Sequence, residues 1–85
     1  MLYIYLIKEK NMEELIKLLS ETIEGVDFEN EDRLMTDKVI SSIDLTEIIA
    51  EIEDHYDIEI DMEYMIPENF ESAQAMLNMI EELQD

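Results

Sequence analysis

The sequence predicts an all-α domain, a small helical bundle with three main helices, one short helix and a long first loop. Three observations predict it. Apolar residues recur at helical spacing in three segments, a Ser or Asn stands at the head of each, and the alternation that a sheet requires is confined to one five-residue stretch. Eighty-five residues make one domain, in which a single core exceeds chain entropy by roughly 3–5 kcal/mol. Such a chain has no room for a deep enzyme cleft.

Residues 1–10 read as an N-terminal extension and 11–85 as the domain. The opening run Met1 to Ile7, MLYIYLI, has no basic residue before it, stops at Lys8 and is followed by no small-residue cleavage site. It therefore reads as neither a signal peptide nor a membrane span, and the chain is expected in the cytoplasm as a monomer. The run has two readings: a short ordered extension packed on the domain, or an upstream start before a domain that begins near Met12.

Asn11 is a good N-cap, and the segment after it spaces Leu15, Ile16, Leu19 and Ile23 as a helix does before Gly25 ends the run. Residues 25–40 hold no sustained period. Val26, Phe28, Leu34 and Met35 stand among acids there, which predicts a long loop pinned to the core by those four side chains. Ser41 then caps the second helix, with Asp44 in its first turn and Ile48, Ile52 and Tyr56 recurring every four residues beside Leu45 and Ile49. Asp57 to Asp61 alternates acid with Ile58 and Ile60, as an extended segment does. Asp61 heads one turn through Met65, and Pro67 breaks what precedes it. Ser72 caps the last helix, whose stripe is Ala73, Met76, Leu77, Ile80 and Leu83.

Charge and composition narrow the function. Five basic residues against 24 acidic ones give a net charge of −19, and Lys38 is the last Lys or Arg in the chain. Such a surface repels nucleic-acid phosphates and anionic lipid and attracts proteins with basic patches. The absence of cysteine excludes disulfides, thiolate zinc sites and a thiol nucleophile. His55 lies thirteen positions after Ser42, about 20 Å along a continuous helix, so no Ser–His pair forms within the domain and no enzyme is expected. Asp57, Glu59, Asp61 and Glu68 have the look of a calcium loop, but Met62 stands where the turn needs Gly, so no metal site is predicted. The seven Met residues read as core.

Ser42-Ile43-Asp44, the acids Glu47, Glu51 and Glu53, and the closing Tyr56-Asp57-Ile58-Glu59-Ile60 together resemble the acyl carrier protein family. In that family an Asp-Ser-Leu-like motif opens the second helix, and a Phe-Asp-Ile-Glu-Ile-like run ends it. The spacing between the two matches without a gap. Pro67 to Ser72, PENFES, also looks like the run before the final helix of discrete carriers, so the resemblance spans about residues 12 to 84. Two positions depart from the pattern: Ser41 stands where the family has Asp, and Lys38 stands near a common Gly.

The resemblance implies a four-helix acyl-carrier-like bundle. It further implies a 4′-phosphopantetheine arm, taken from coenzyme A and attached to Ser42 by a phosphopantetheinyl transferase that supplies base and Mg²⁺. Acyl or aminoacyl groups would then be carried as thioesters between loading and synthase enzymes with basic surfaces. Asp44, Glu47, Glu51 and Asp54 would meet their Lys and Arg residues, and Ile43 and Thr46 would make small contacts beside the arm. Fatty acid, polyketide, D-alanine and other amino-acid cargoes all fit. Two alternatives remain at this point: an unmodified acidic protein of the same fold that docks on a basic enzyme, and an acidic mimic of nucleic acid.

Overall fold

The computed structural model describes residues 2–84, with side chains described from Lys10 onward. Within them the chain is all-α, with three helices, two short 3₁₀ turns and no strand. Helix α1 spans Leu2–Thr22, α2 spans Ser42–Tyr56 and α3 spans Ala73–Gln84. The 3₁₀ turns are Met62–Tyr64 and Pro67–Phe70, and they occupy the place of the one short helix expected from the sequence. No described helix is long and apolar enough to cross a membrane.

Helix α1 begins nine residues before Asn11, which therefore lies inside a helix and is not its cap. A cap requires non-helical backbone at that residue, and nothing between Ile7 and Asn11 imposes it, since neither Gly nor Pro interrupts the segment. The packing of the side chains of Met1 to Ile7, on which the two readings of that run differ, lies outside the described residues.

The core is continuous across the three helices and the loop. Leu15 and Leu19 of α1, Ile48 and Ile52 of α2, and Ala73, Met76, Leu77, Met79 and Ile80 of α3 are buried. The loop adds Phe28, Leu34 and Ile40, while Ile60 and Phe70 close the core from the 3₁₀ region. Each large apolar side chain so buried contributes about 1.5–3 kcal/mol over its exposed state. The four predicted loop anchors divide, with Phe28 and Leu34 buried and Val26 and Met35 packed half-buried against the core.

Polar contacts as well as apolar ones hold the loop. The Glu71 carboxylate accepts hydrogen bonds from the backbone N–H groups of Met35 and Thr36 and from the Thr36 hydroxyl. The Leu34 N–H also donates to the Glu71 carbonyl at 2.9 Å. These bonds to Glu71, Thr36 foremost, hold its carboxyl below the ordinary carboxylate range. Lys38, close to the start of α2, adopts a left-handed backbone with φ of 55°, a conformation in which glycine carries no Cβ penalty.

Candidate functional site

Helix α2 starts where the sequence places it. Ser41 is the N-cap, with its Oγ accepting from the Asp44 N–H at 3.0 Å while the Asp44 carboxylate accepts from the Ser41 N–H at 3.0 Å. This reciprocal capping box satisfies two amide donors that a helix start would otherwise leave unpaired. Ser42 is consequently the first helical residue. It is exposed, and among the described residues its hydroxyl has no hydrogen-bond partner. The negative charge of Asp44 in the first turn complements the positive end of the helix dipole.

At about 100° per residue, Ser42, Ile43, Thr46, Glu47, Ala50, Glu51 and Asp54 share one face of α2, and all seven are exposed. Ile43 is 73% exposed, a large apolar side chain set among acids. The Thr46 hydroxyl donates to the Ser42 carbonyl at 3.0 Å, which ties the first turn of the helix together. Of the six residues predicted to dock a partner, Asp44 is the one that departs from this face. It is half-buried and engaged in the capping box, so its carboxylate has a structural task as well as a charge. Glu53, another acid of α2, is half-buried near the end of the helix, where its carboxylate accepts from the Ile60 N–H at 2.9 Å.

Helix α1 contributes to the acidic face. Leu18, Glu21 and Thr22 line an open groove of about 460 Å³ with Glu47, Ala50 and Glu51. Glu21 was not legible as part of a site, because only the antiparallel pairing of α1 with α2 brings it beside Glu47 and Glu51. Among the described residues no three His, Asp or Glu side chains gather as a metal ion would require.

Further along, α2 ends at an αL cap on Asp57, whose φ is 54° and whose N–H donates to the Glu53 carbonyl. His55, in the last turn, places its Nε2 3.6 Å from the Glu14 carboxylate of α1. Since α2 is one unbroken helix between them, Ser42 and His55 stand about 20 Å apart. His55 therefore joins helices and does not serve the serine.

The reading of every Met as core requires correction. Met76 and Met79 are buried and Met12 and Met35 pack half-buried, but Met62 is 87% exposed and Met65 is 44% exposed beside Ile66 at 42%. All three are exposed apolar side chains of the 3₁₀ region. The sequence carries little signal for this, because residues 61–66 show no helical or strand period against which an outward position stands out. Comparisons with family models, curated proteins and solved structures find no match for this chain, so its residues and their geometry carry the functional argument.

Proposed function

We propose that this chain is a discrete acyl or aminoacyl carrier protein of four-helix carrier type, bearing a 4′-phosphopantetheine arm on Ser42. One observation carries the reading. Ser41 does the capping, so the adjacent Ser42 hydroxyl at the head of α2 is exposed and has no structural task. An arm attached there meets no buried wall, and the residues beside it fit a docking surface: one exposed isoleucine and a row of acids without a Lys or Arg among them.

In the modification, the Ser42 Oγ forms a bond to the β-phosphorus of coenzyme A as the bond from that phosphorus to the adenosine 3′,5′-bisphosphate leaving group breaks. The hydroxyl proton passes to a base of the transferase, because among the described residues no base hydrogen-bonds the Ser42 hydroxyl. The bound arm supplies a thiol that carries acyl groups as thioesters. This chain's own part is to present the serine, to keep the helix start fixed through the capping box, and to offer Glu47, Glu51 and Asp54 to basic partner surfaces. Charges at such a rim mainly raise the association rate.

Incubation with coenzyme A and a phosphopantetheinyl transferase, followed by intact-mass measurement, tests the reading. One arm is expected on the wild type and on Ser41→Ala, and none on Ser42→Ala. An unmodified wild type, or an arm that survives Ser42→Ala, overturns it. The replacement of the family's aspartate by Ser41 favours a second reading, an unmodified protein that docks on a basic enzyme through the same acidic face. In that case Ser42→Ala binds the enzyme as tightly as the wild type does.

A further inference from the structure

The end of the long loop closes on itself before it reaches α2. The Asp37 N–H donates to the Arg33 carbonyl at 2.9 Å, the Lys38 N–H to the Met35 carbonyl at 3.2 Å, and the Val39 and Ile40 N–H groups both to the Leu34 carbonyl, at 2.9 and 3.3 Å. Leu34 and Ile40 are buried and root this lobe in the core, whereas Thr36, Asp37 and Lys38 are exposed. Ser41 follows Ile40 directly. The lobe therefore delivers the residue that fixes where α2 begins and, with it, where Ser42 stands.

One residue from outside the loop ties the lobe down. Glu71 stands between the Pro67–Phe70 turn and α3, and its Oε1 accepts from the N–H groups of Met35 at 2.8 Å and Thr36 at 2.9 Å. Its Oε2 accepts from the Thr36 hydroxyl, and its carbonyl accepts from the Leu34 N–H at 2.9 Å. Among the described residues no other side chain accepts a hydrogen bond from the backbone of residues 25–40. Thr36 is exposed and Met35 and Glu71 are half-buried, so the side-chain bonds lie at the surface. Breaking them frees the lobe without emptying the core, the kind of local opening that costs far less than unfolding.

We propose that Glu71 is a positioning residue for the modification of Ser42, acting through the lobe it latches. The inference rests on the carrier reading. A transferase that approaches Ser42 meets the exposed residues leading into Ser41 as well as those of α2. With the latch closed they are ordered before encounter; with it open the enzyme orders them as it binds, and apparent affinity falls by the fraction of closed molecules. Glu71 bonds to residues 34–36 and to none of the reacting atoms, so the penalty falls on KM for the carrier and leaves kcat alone.

Arm transfer from coenzyme A, measured against carrier concentration, tests this on the full chain. Glu71→Asp keeps the charge but withdraws the carboxylate from the loop, and is expected to raise KM at least about fivefold at unchanged kcat. Glu71→Gln keeps the reach without the charge: its amide oxygen accepts both N–H groups, and KM stays within about twofold of the wild type. Thr36→Val, which loses the hydroxyl bond alone, falls between the wild type and Glu71→Asp. Ser72→Ala removes the side-chain cap of α3 next to Glu71, and lowers the melting temperature while leaving KM within about twofold. Amide exchange at Met35 and Thr36 should quicken in Glu71→Asp and not in Glu71→Gln, with helicity of all variants retained by circular dichroism. A wild-type KM in Glu71→Asp, a Glu71→Gln no better than Glu71→Asp, or a Ser72→Ala that raises KM as much overturns the inference and leaves the carrier reading standing. Should Glu71→Asp not fold, a wild-type KM in Thr36→Val overturns it. A wild type that takes no arm removes the carrier reading, and the inference with it.

Discussion

Tyr56 shows how one atom can run against the rest of a well-packed site. Its hydroxyl oxygen is buried without a hydrogen-bond partner, while its ring packs edge-on to that of His55, with centroids 4.8 Å apart. Burial first, and the Glu14 carboxylate second, push its pKa up from 10.0 to about 12. A tyrosine with a folded value above its unfolded one favours folding fully below pH 10, and that contribution is lost as pH rises through 12. An unpaired buried hydroxyl is also a liability at neutral pH, since its removal leaves no orphaned partner. Tyr56→Phe is therefore expected to leave stability at pH 7 unchanged or to raise it by up to about 1 kcal/mol. It should also abolish the ultraviolet titration step near 12. Tyr64 is shifted upward too, by Glu82 foremost, so the step is assigned from the difference between variant and wild type. A loss of stability well beyond that range at pH 7 would mean that the oxygen has a partner after all.

At the scale of elements, the two adjacent serines separate structure from chemistry. Ser41 closes the capping box and Ser42 does not take part in it, so Ser41→Ala is expected to lower unfolding free energy by about 1 kcal/mol. Ser42→Ala should change it by no more than about 0.5 kcal/mol, as exposed substitutions usually do. Urea titration of both variants checks this, and equal losses would place the cap elsewhere. Helix α2 was legible because its signals are local: a cap at Ser41, an acid three residues later, and Ile48 and Ile52 at helical spacing. Helix α3 was legible for the same reason, with the Ser72 Oγ accepting from the Ala75 N–H at 3.0 Å. The start of α1 was not, because a good cap residue is only an opportunity for a helix to begin and Asn11 lies in a segment already helical. The anchoring of the loop by Glu71 was invisible for another reason: its partners lie 35 and 36 positions away in sequence. Lys38 was noticed as the last basic residue and as one near a common Gly, and the positive φ found there is the backbone conformation that suits Gly.

For the whole molecule the governing quantity is charge. Ion pairs are few among the described residues: Arg33 lies 3.2 Å from Asp37, His55 contacts Glu14 at 3.6 Å, and no Lys or Arg follows Lys38. Repulsion therefore concentrates in α2, the 3₁₀ region and α3, the part that carries the proposed docking face. The domain measures 37 × 26 × 20 Å. At about 0.01 M salt the screening length is about 30 Å, so most carboxylates repel one another across the whole fold. At about 1 M it falls to about 3 Å, and only neighbours still interact. Unfolding spreads the same charges apart, so low salt favours the unfolded chain. Raising potassium chloride from about 0.01 to about 1 M is expected to stabilise the fold by at least about 1 kcal/mol, a rise in thermal midpoint of about 4–8 °C for a domain of this size. Chloride is the appropriate anion, because sulfate strengthens apolar burial irrespective of charge. The same salt should weaken association with a basic partner enzyme, since that attraction draws on the carboxylates whose mutual repulsion is being screened. A melting point that stays flat or falls over this range would show that the acids are already held apart in the native fold and that their density reflects docking with no penalty in stability.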